Sequence, residues 1–167
     1  VYDLQISKSG YGTYRWNGIS HASNAAGYTQ LPNLSLGKKA TTQVTSLTVA
    51  GNTLFGQPGV RFDYGISPAP STSNRAFVRY FLHTANTVSS TIYTAYSERK
   101  NFTNLSNETG FTKDELLGFG FSSGQTIYVR MVGESFISND YTDPNANRRV
   151  FPNVNETGAP VASFQVP

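Results

Sequence analysis

One ten-residue stretch, Gln125 to Glu134, constrains the fold of this chain more than any other segment. Ile127, Val129 and Met131 fall on one side of an extended chain there, because strand side chains alternate between two faces. That side is wholly apolar, whereas the other side mixes apolar and polar residues. The pattern predicts a central β-strand with one face in the core of the protein.

Other segments with alternating or β-rich sequence extend this prediction to the whole chain. Residues 2–6, 60–64 and 76–83 are the clearest of them, and residues 87–96 predict a strand that pairs with 76–83 through a short turn. Turn residues recur at intervals of roughly ten residues, as in sandwiches and barrels. We therefore expect an antiparallel β-sandwich of about eight or nine strands in a single domain, residues 1–167.

Only one segment carries a helical signal. Thr112 is followed three residues later by Glu115, which is the spacing of a capping box at a helix N-terminus. Gly118 follows after about one turn, so the segment predicts one short helical turn.

A family resemblance appears around the central stretch. Two leucines, Leu116 and Leu117, precede the run Ser123-Gly124-Gln125-Thr126-Ile127-Tyr128-Val129-Arg130. This arrangement resembles the corner and penultimate strand of fibronectin type III and related immunoglobulin-like domains. The resemblance implies an immunoglobulin-like or fibronectin III-like β-sandwich, of the kind found in secreted and surface proteins.

Composition restricts the function classes that fit the chain. It has no cysteine, which excludes disulfides, thiolate metal sites and cysteine nucleophiles. The net charge of +3 comes from scattered side chains rather than a basic stripe, so we expect no nucleic-acid partner. No segment approaches the roughly 18 apolar residues of a membrane span. A start at Val1 rather than Met predicts a mature secreted product or an excised domain, and we expect a secreted or cell-surface protein.

Catalytic motifs are missing from the sequence. The two histidines are His21, in a predicted loop, and His83, at a predicted strand end, and the chain has no nucleophile elbow, zinc-protease motif or phosphate-binding glycine loop. We therefore expect that the protein is not an enzyme and needs no cofactor, with calcium as the one possible exception.

The calcium hypothesis concerns one polar loop. Asp140, Asp143, Asn145 and Asn147 offer hard oxygen ligands near one another, although the loop lacks the glycine and the final glutamate of an EF-hand. The same residue types also form ordinary turns, so a turn without metal is the alternative interpretation.

N-glycosylation motifs are slightly more frequent than composition predicts. About three would arise by chance, and five are present. Composition alone is one explanation, and glycosylation of an exposed extracellular loop is the other. The candidate asparagines are Asn33, Asn101, Asn104, Asn107 and Asn155.

Aromatic side chains near the N-terminus form the candidate binding site. Trp16, Tyr11, Tyr14 and Tyr28 lie in turn-like or half-polar segments. Exposed flat rings stack on sugars or pack against a neighbouring subunit, and core packing is the third explanation for them.

Together these features predict a non-enzymatic extracellular protein with a structural or adhesive role, such as a subunit of a surface assembly or filament. Its partners would be other protein subunits, and self-association through residues 1–8 is expected because an alternating terminal strand can extend a neighbour's sheet. The alternative function is a carbohydrate-binding module that binds surface glycans through its exposed aromatic residues.

Overall fold

The structure, a computed structural model, describes residues 1–20 and 31–167. These residues form twelve strands and one short helix, which confirms the all-β prediction, although the strands outnumber the eight or nine predicted because several have only two or three residues. The helix, α1 (Lys113–Gly118), follows β8. The strands are β1 (Tyr2–Ile6), β2 (Tyr14–Ile19), β3 (Gln43–Leu54), β4 (Gln57–Ser67), β5 (Ala76–His83), β6 (Ala95–Tyr96), β7 (Lys100–Phe102), β8 (Gly110–Thr112), β9 (Thr126–Glu134), β10 (Tyr141–Asp143), β11 (Arg148–Val150) and β12 (Val161–Gln165).

The larger sheet is built around β9, which pairs with β12 on one side and β5 on the other. Two short strands, β6 and β7, pair with the far side of β5, and all of these pairings are antiparallel. Ile127, Val129 and Met131 of β9 are fully buried. The prediction of a central strand in this part of the chain is therefore confirmed.

The smaller sheet, in the order β3-β4-β8, packs face to face against the larger one. Phe62 of β4 stacks on Tyr80 of β5 with ring centroids 5.7 Å apart, and it meets Phe164 of β12 edge-on at 5.8 Å. Phe111 of β8 meets the ring of Tyr80 at 5.3 Å. Burying each such ring stabilises the fold by about 1.5–3 kcal/mol, so these contacts join the two sheets through one aromatic core.

The larger sheet is also covered on its outer face. Tyr80 and Leu82 of β5 point toward the smaller sheet, whereas Phe81 points the opposite way. The ring of Phe81 lies 5.4 Å from that of Tyr93 and 5.1 Å from that of Phe151. β5 is therefore buried on both faces, which explains why its sequence is almost continuously apolar.

Two hairpins complete the architecture outside the main sheets. β1 pairs with β2 in an N-terminal ribbon, and β10 pairs with β11. Arg15 of β2 reaches the second hairpin, where its Nη1 lies 3.4 Å from Asp143 Oδ2. The ribbon thus contacts the rest of the protein partly through an ion pair between the two hairpins.

A pair of buried asparagines fixes the segment before β3. Asn153 Nδ2 donates to the Gly37 carbonyl at 2.7 Å, and Asn153 Oδ1 accepts from the Asn139 backbone N–H at 2.6 Å. Asn139 Oδ1 in turn accepts from the Gly37 N–H at 2.6 Å. A Cβ at Gly37 would collide with the carbonyl of Ile137, so only glycine fits between these partners.

The predicted helical turn is confirmed. Thr112 Oγ1 accepts from the Glu115 backbone N–H at 3.2 Å, and Glu115 Oε2 accepts from the Thr112 N–H at 2.7 Å, which completes the capping box. Leu116 buries the inner side of this turn. Among the described residues, no helix has the length and apolar character that crossing a membrane requires.

The prediction of a strand over residues 87–96 is wrong. Only Ala95 and Tyr96 pair with β5, and the segment before them consists of turns and bends. Ser89 Oγ accepts the backbone N–H groups of Thr91 and Ile92 at 3.2 and 2.9 Å. Such local bonds to serine compete with strand pairing, which a pattern of β-branched residues does not reveal.

Candidate functional site

The predicted aromatic site lies largely on the N-terminal ribbon. Tyr14 pairs with Ile6, and Trp16 pairs with Leu4, so these four side chains share one face of the ribbon. All four are half-buried. Tyr28 lies outside the described residues. Carbohydrate binding by these rings stays a prediction.

The remaining aromatic candidate, Tyr11, lies just before β2. It forms an isolated bridge with Lys38, and the ammonium group of Lys8 lies 4.7 Å from the centre of its ring. Its half-buried ring therefore lies beside the charged group of Lys8.

The predicted calcium residues surround the turn between β10 and β11. Asp143 Oδ1 accepts the Asn145 N–H at 2.9 Å, and Asn147 has a positive φ of 45°. Asp140, at the other end of β10, lies 3.5 Å from Arg79. Within the described ranges, no three histidine, aspartate or glutamate side chains group as metal ligands would. The turn interpretation accounts for these contacts, and calcium binding stays a prediction.

The predicted glycosylation sites differ in accessibility. Asn33, Asn101 and Asn104 are exposed, and Asn107 is half-buried. Asn155 donates its Nδ2 to the Thr42 carbonyl at 3.1 Å, so a glycan there would replace an internal hydrogen bond. Glycosylation at any of the five stays a prediction.

Only one of the two histidines, His83, lies in the described part of the chain. His21 lies outside the described residues, and His83 Nδ1 is 2.8 Å from Thr94 Oγ1 at the end of β5. The absence of enzymatic activity stays a prediction.

A buried charge cluster lies on the outer face of the larger sheet, beneath the segments that carry Ser97, Asp140 and Phe151. Arg79 is only 5% exposed, and its Nε donates to Glu134 Oε2 at 2.5 Å. Arg79 Nη1 donates to the Ser97 carbonyl at 2.8 Å, and its guanidinium carbon lies 4.5 Å from the centre of the Phe151 ring. With Asp140 also beside it, one cation joins β5 and β9 to the segment that covers them.

Glu134 has fewer of its hydrogen-bonding groups paired than Arg79 has. It is 2% exposed, and its Oε1 has no hydrogen-bond partner among the described residues. Burial is the largest influence and raises the pKa of Glu134 above its usual 4.5, against the opposing attraction of Arg79. The carboxyl of Glu134 holds its proton more tightly in the folded protein than in the unfolded chain, so proton binding at Glu134 stabilises the fold. This stabilisation is complete below the unfolded pKa and is lost as pH rises through the folded pKa.

We expect Glu134→Gln to remove this part of the pH dependence. The stability of the parent relative to the variant should fall as the pH rises from about 4 to 8, because only the parent must ionise a buried carboxyl. Urea unfolding at several pH values measures this difference. Glu98→Gln, at an exposed position, controls for loss of one negative charge, and parallel curves for the parent and Glu134→Gln would contradict the expectation.

A groove of about 690 Å³ opens between the edges of the two sheets, and we call it the inter-sheet groove. A second cavity of about 400 Å³ shares Lys100 and Glu115 with it and continues it. Among the described residues, β7 pairs only with β5 and β8 only with β4, so both strands have an open side. The groove is lined by Leu54, Phe55, residues 100–102 and 107–110, Thr112 and Glu115.

Phe55 stands on the rim of the inter-sheet groove in a strained conformation. Leu54 pairs with Gln57, which leaves Phe55 and Gly56 as a two-residue loop with φ values of 50° and 76°. Such loops favour Asn-Gly, and a bulky residue in this backbone region costs about 1–3 kcal/mol. The ring is nevertheless 68% exposed, so core packing does not account for it. An exposed aromatic residue in such a conformation is a candidate functional position.

Sequence reasoning missed Arg79, Glu134 and Phe55. A signal was present for the first two, since an arginine inside the apolar run of β5 and a glutamate at the end of β9 indicate a buried ion pair. For Phe55, the signal was an aromatic residue at the loop position before Gly56, where asparagine or aspartate is usual.

Three features of the described structure bear on function: the N-terminal ribbon, the inter-sheet groove and the exposed ring of Phe55. The chain was compared with protein-family models, curated proteins and solved structures, and none of them matches it.

Proposed function

We propose that this chain is a non-enzymatic subunit of an extracellular or cell-surface assembly, and that it self-associates through residues 1–8. We also propose that its two packed antiparallel sheets form an immunoglobulin-like or fibronectin III-like sandwich. The observation that carries the functional proposal is the open edge of β1.

β1 has the properties of a strand that pairs with another chain. In the described part of the protein it pairs along one side only, with β2. Val1 is 91% exposed and Tyr2 is 65% exposed, so the start of the segment is accessible. An accessible edge with alternating apolar residues is a template for pairing with another strand. These features support self-association through the N-terminal segment.

Composition supports an extracellular setting. The chain has no cysteine and only 14% charged residues, and it is rich in glycine, threonine, asparagine and tyrosine. Three of the five glycosylation motifs have exposed asparagines, at Asn33, Asn101 and Asn104. A low charge density also reduces the repulsion between identical copies that pack side by side.

Removing residues 1–8 is expected to abolish self-association, because it removes the strand whose edge pairs with another copy. Light scattering over a wide concentration range measures the mass of the parent and of the truncated chain. A full-length variant with Leu4→Asn and Ile6→Asn keeps the length of the segment and removes its apolar character, and it should also lose association. Equal growth in mass for the parent and the truncated chain would rule out this role of the segment.

A further inference from the structure

We propose that the inter-sheet groove is the acceptor site for β1 of a second copy of this chain. The inference rests on the proposed self-association and assigns the surface that receives the N-terminal strand. In this arrangement β1 of one copy lies alongside β7 of the next, and the ribbon of the donor remains paired with its own β2.

Backbone geometry favours this acceptor. The outer sides of β7 and β8 have no strand partner among the described residues, and both border the groove. A strand laid against β7 supplies hydrogen-bond partners to backbone groups that otherwise bond to water. The groove therefore offers the edge that an incoming β1 needs.

Side chains favour the same occupant. Phe55 gives the groove an exposed apolar rim, whereas Leu54 and Phe102 lie almost fully buried at its floor. The apolar side chains of Leu4 and Ile6 match this rim. Both side chains are already half-buried on the ribbon, and the pairing removes more of their surface from water, which favours association.

Charge is complementary as well. The groove carries one cation, Lys100, and two anions, Glu108 and Glu115, whereas the N-terminal segment carries Asp3 and Lys8. Asp3 lies near the start of β1 and Lys8 lies just beyond its end, so their opposite charges favour one direction of the incoming strand.

The opposite edge of the larger sheet is a poorer acceptor. β12 lies at that edge, and its exposed side chains include the polar residues Ser163 and Gln165. None of the described cavities has a lining residue in β12. The groove beside β7 combines an open edge with the exposed apolar ring of Phe55.

Phe55 provides a test that separates folding from association. Phe55→Asn places the preferred residue in the strained loop, so the melting temperature should rise by roughly 2–4 °C. The same change removes an aromatic contact from the groove, and self-association should weaken about tenfold or more. Phe136→Asn is the matched control, because Phe136 is also 68% exposed but packs against Phe77 instead of lining the groove. Equal weakening by both changes, or none by Phe55→Asn, would overturn the proposal.

Disulfide trapping then locates the contact. Because the chain has no cysteine of its own, every disulfide formed involves an introduced cysteine. Gln5 of β1 and Asn101 of β7 are both exposed, so a Gln5→Cys chain mixed with an Asn101→Cys chain should form a mixed disulfide dimer under mild oxidation. Gln165→Cys, on β12, replaces Asn101→Cys in the control mixture and should not cross-link.

The outcomes separate the two proposals. Links from position 5 to 165, or between two copies of position 5, in a parent that still self-associates would overturn the groove assignment and leave the proposed function intact. A parent chain that stays monomeric at every concentration overturns both, and it leaves the groove to a different occupant, such as an oligosaccharide or an unrelated peptide.

Discussion

Replacing Arg79 with alanine is expected to lower the free energy of unfolding by about 3–5 kcal/mol. The change removes the cation that bonds to Glu134 at 2.5 Å and lies beside Asp140, and it leaves the Glu134 carboxylate buried without a partner. The loss of packing between the guanidinium and Phe151 adds to the effect. Urea unfolding at neutral pH measures the difference.

Arg61→Ala is the matched control for this prediction. Arg61 also lies in a strand and faces a glutamate, but its Nη1 is 3.9 Å from Glu108 Oε1 and its side chain is 43% exposed. Exposed pairs of this kind contribute at most about 1 kcal/mol. If Arg79→Ala and Arg61→Ala lowered the free energy of unfolding by similar amounts, the buried cluster would not be what binds the covering segments to the larger sheet.

A double replacement tests why Arg79→Ala should lower the stability of the protein. Arg79→Met combined with Glu134→Met removes both charges and fills the site with apolar groups, so it should recover most of the stability that Arg79→Ala loses. If the double variant were as unstable as Arg79→Ala, the cost would come from lost packing rather than from an unpaired buried carboxylate.

Asn153→Ala is the second change with a large expected effect, a loss of about 3 kcal/mol. It removes the acceptor of the Asn139 N–H and the donor to the carbonyl of Gly37, and each orphaned buried group costs about 1–3 kcal/mol. Urea unfolding measures the total. Amide hydrogen exchange should show faster exchange at Gly37 and Ala40, because Ala40 N–H bonds to the carbonyl of residue 153.

Asn104→Ala is the control for loss of an asparagine amide. Asn104 is exposed, and its Oδ1 accepts only from the neighbouring Ser106 in the described structure. We expect a change within about 0.5 kcal/mol for this surface position. If Asn153→Ala had an equally small effect, the buried asparagine pair would not fix the segment before β3.

Prediction from sequence succeeded where one local pattern determines the structure. The alternation of residues 125–134 gave the centre of the larger sheet, since only one phase of the pattern buries an entirely apolar face. The spacing of Thr112 and Glu115 gave the helical turn, because a capping box is a local set of bonds.

Prediction from sequence failed where the structure depends on residues that are distant along the chain. β6, β7 and β8 have two or three residues each, too few to show a period, and they exist because β5 and β4 supply partners. The inter-sheet groove requires these short strands at the edges of two sheets, so no single segment indicates it. The partners of Arg79 come from three other segments, and spacing along the chain does not place them together.

The burial of β5 on both faces has a consequence for synthesis of the chain. Its neighbour β9, and Tyr93 and Phe151 on its outer face, all follow it in the sequence. An emerging chain therefore carries an apolar strand that stays unpaired on the β9 side until more than forty further residues have left the ribosome. Nearly the whole sequence must be present before this strand is fully covered, so folding is completed late and passes through a period of exposure to aggregation.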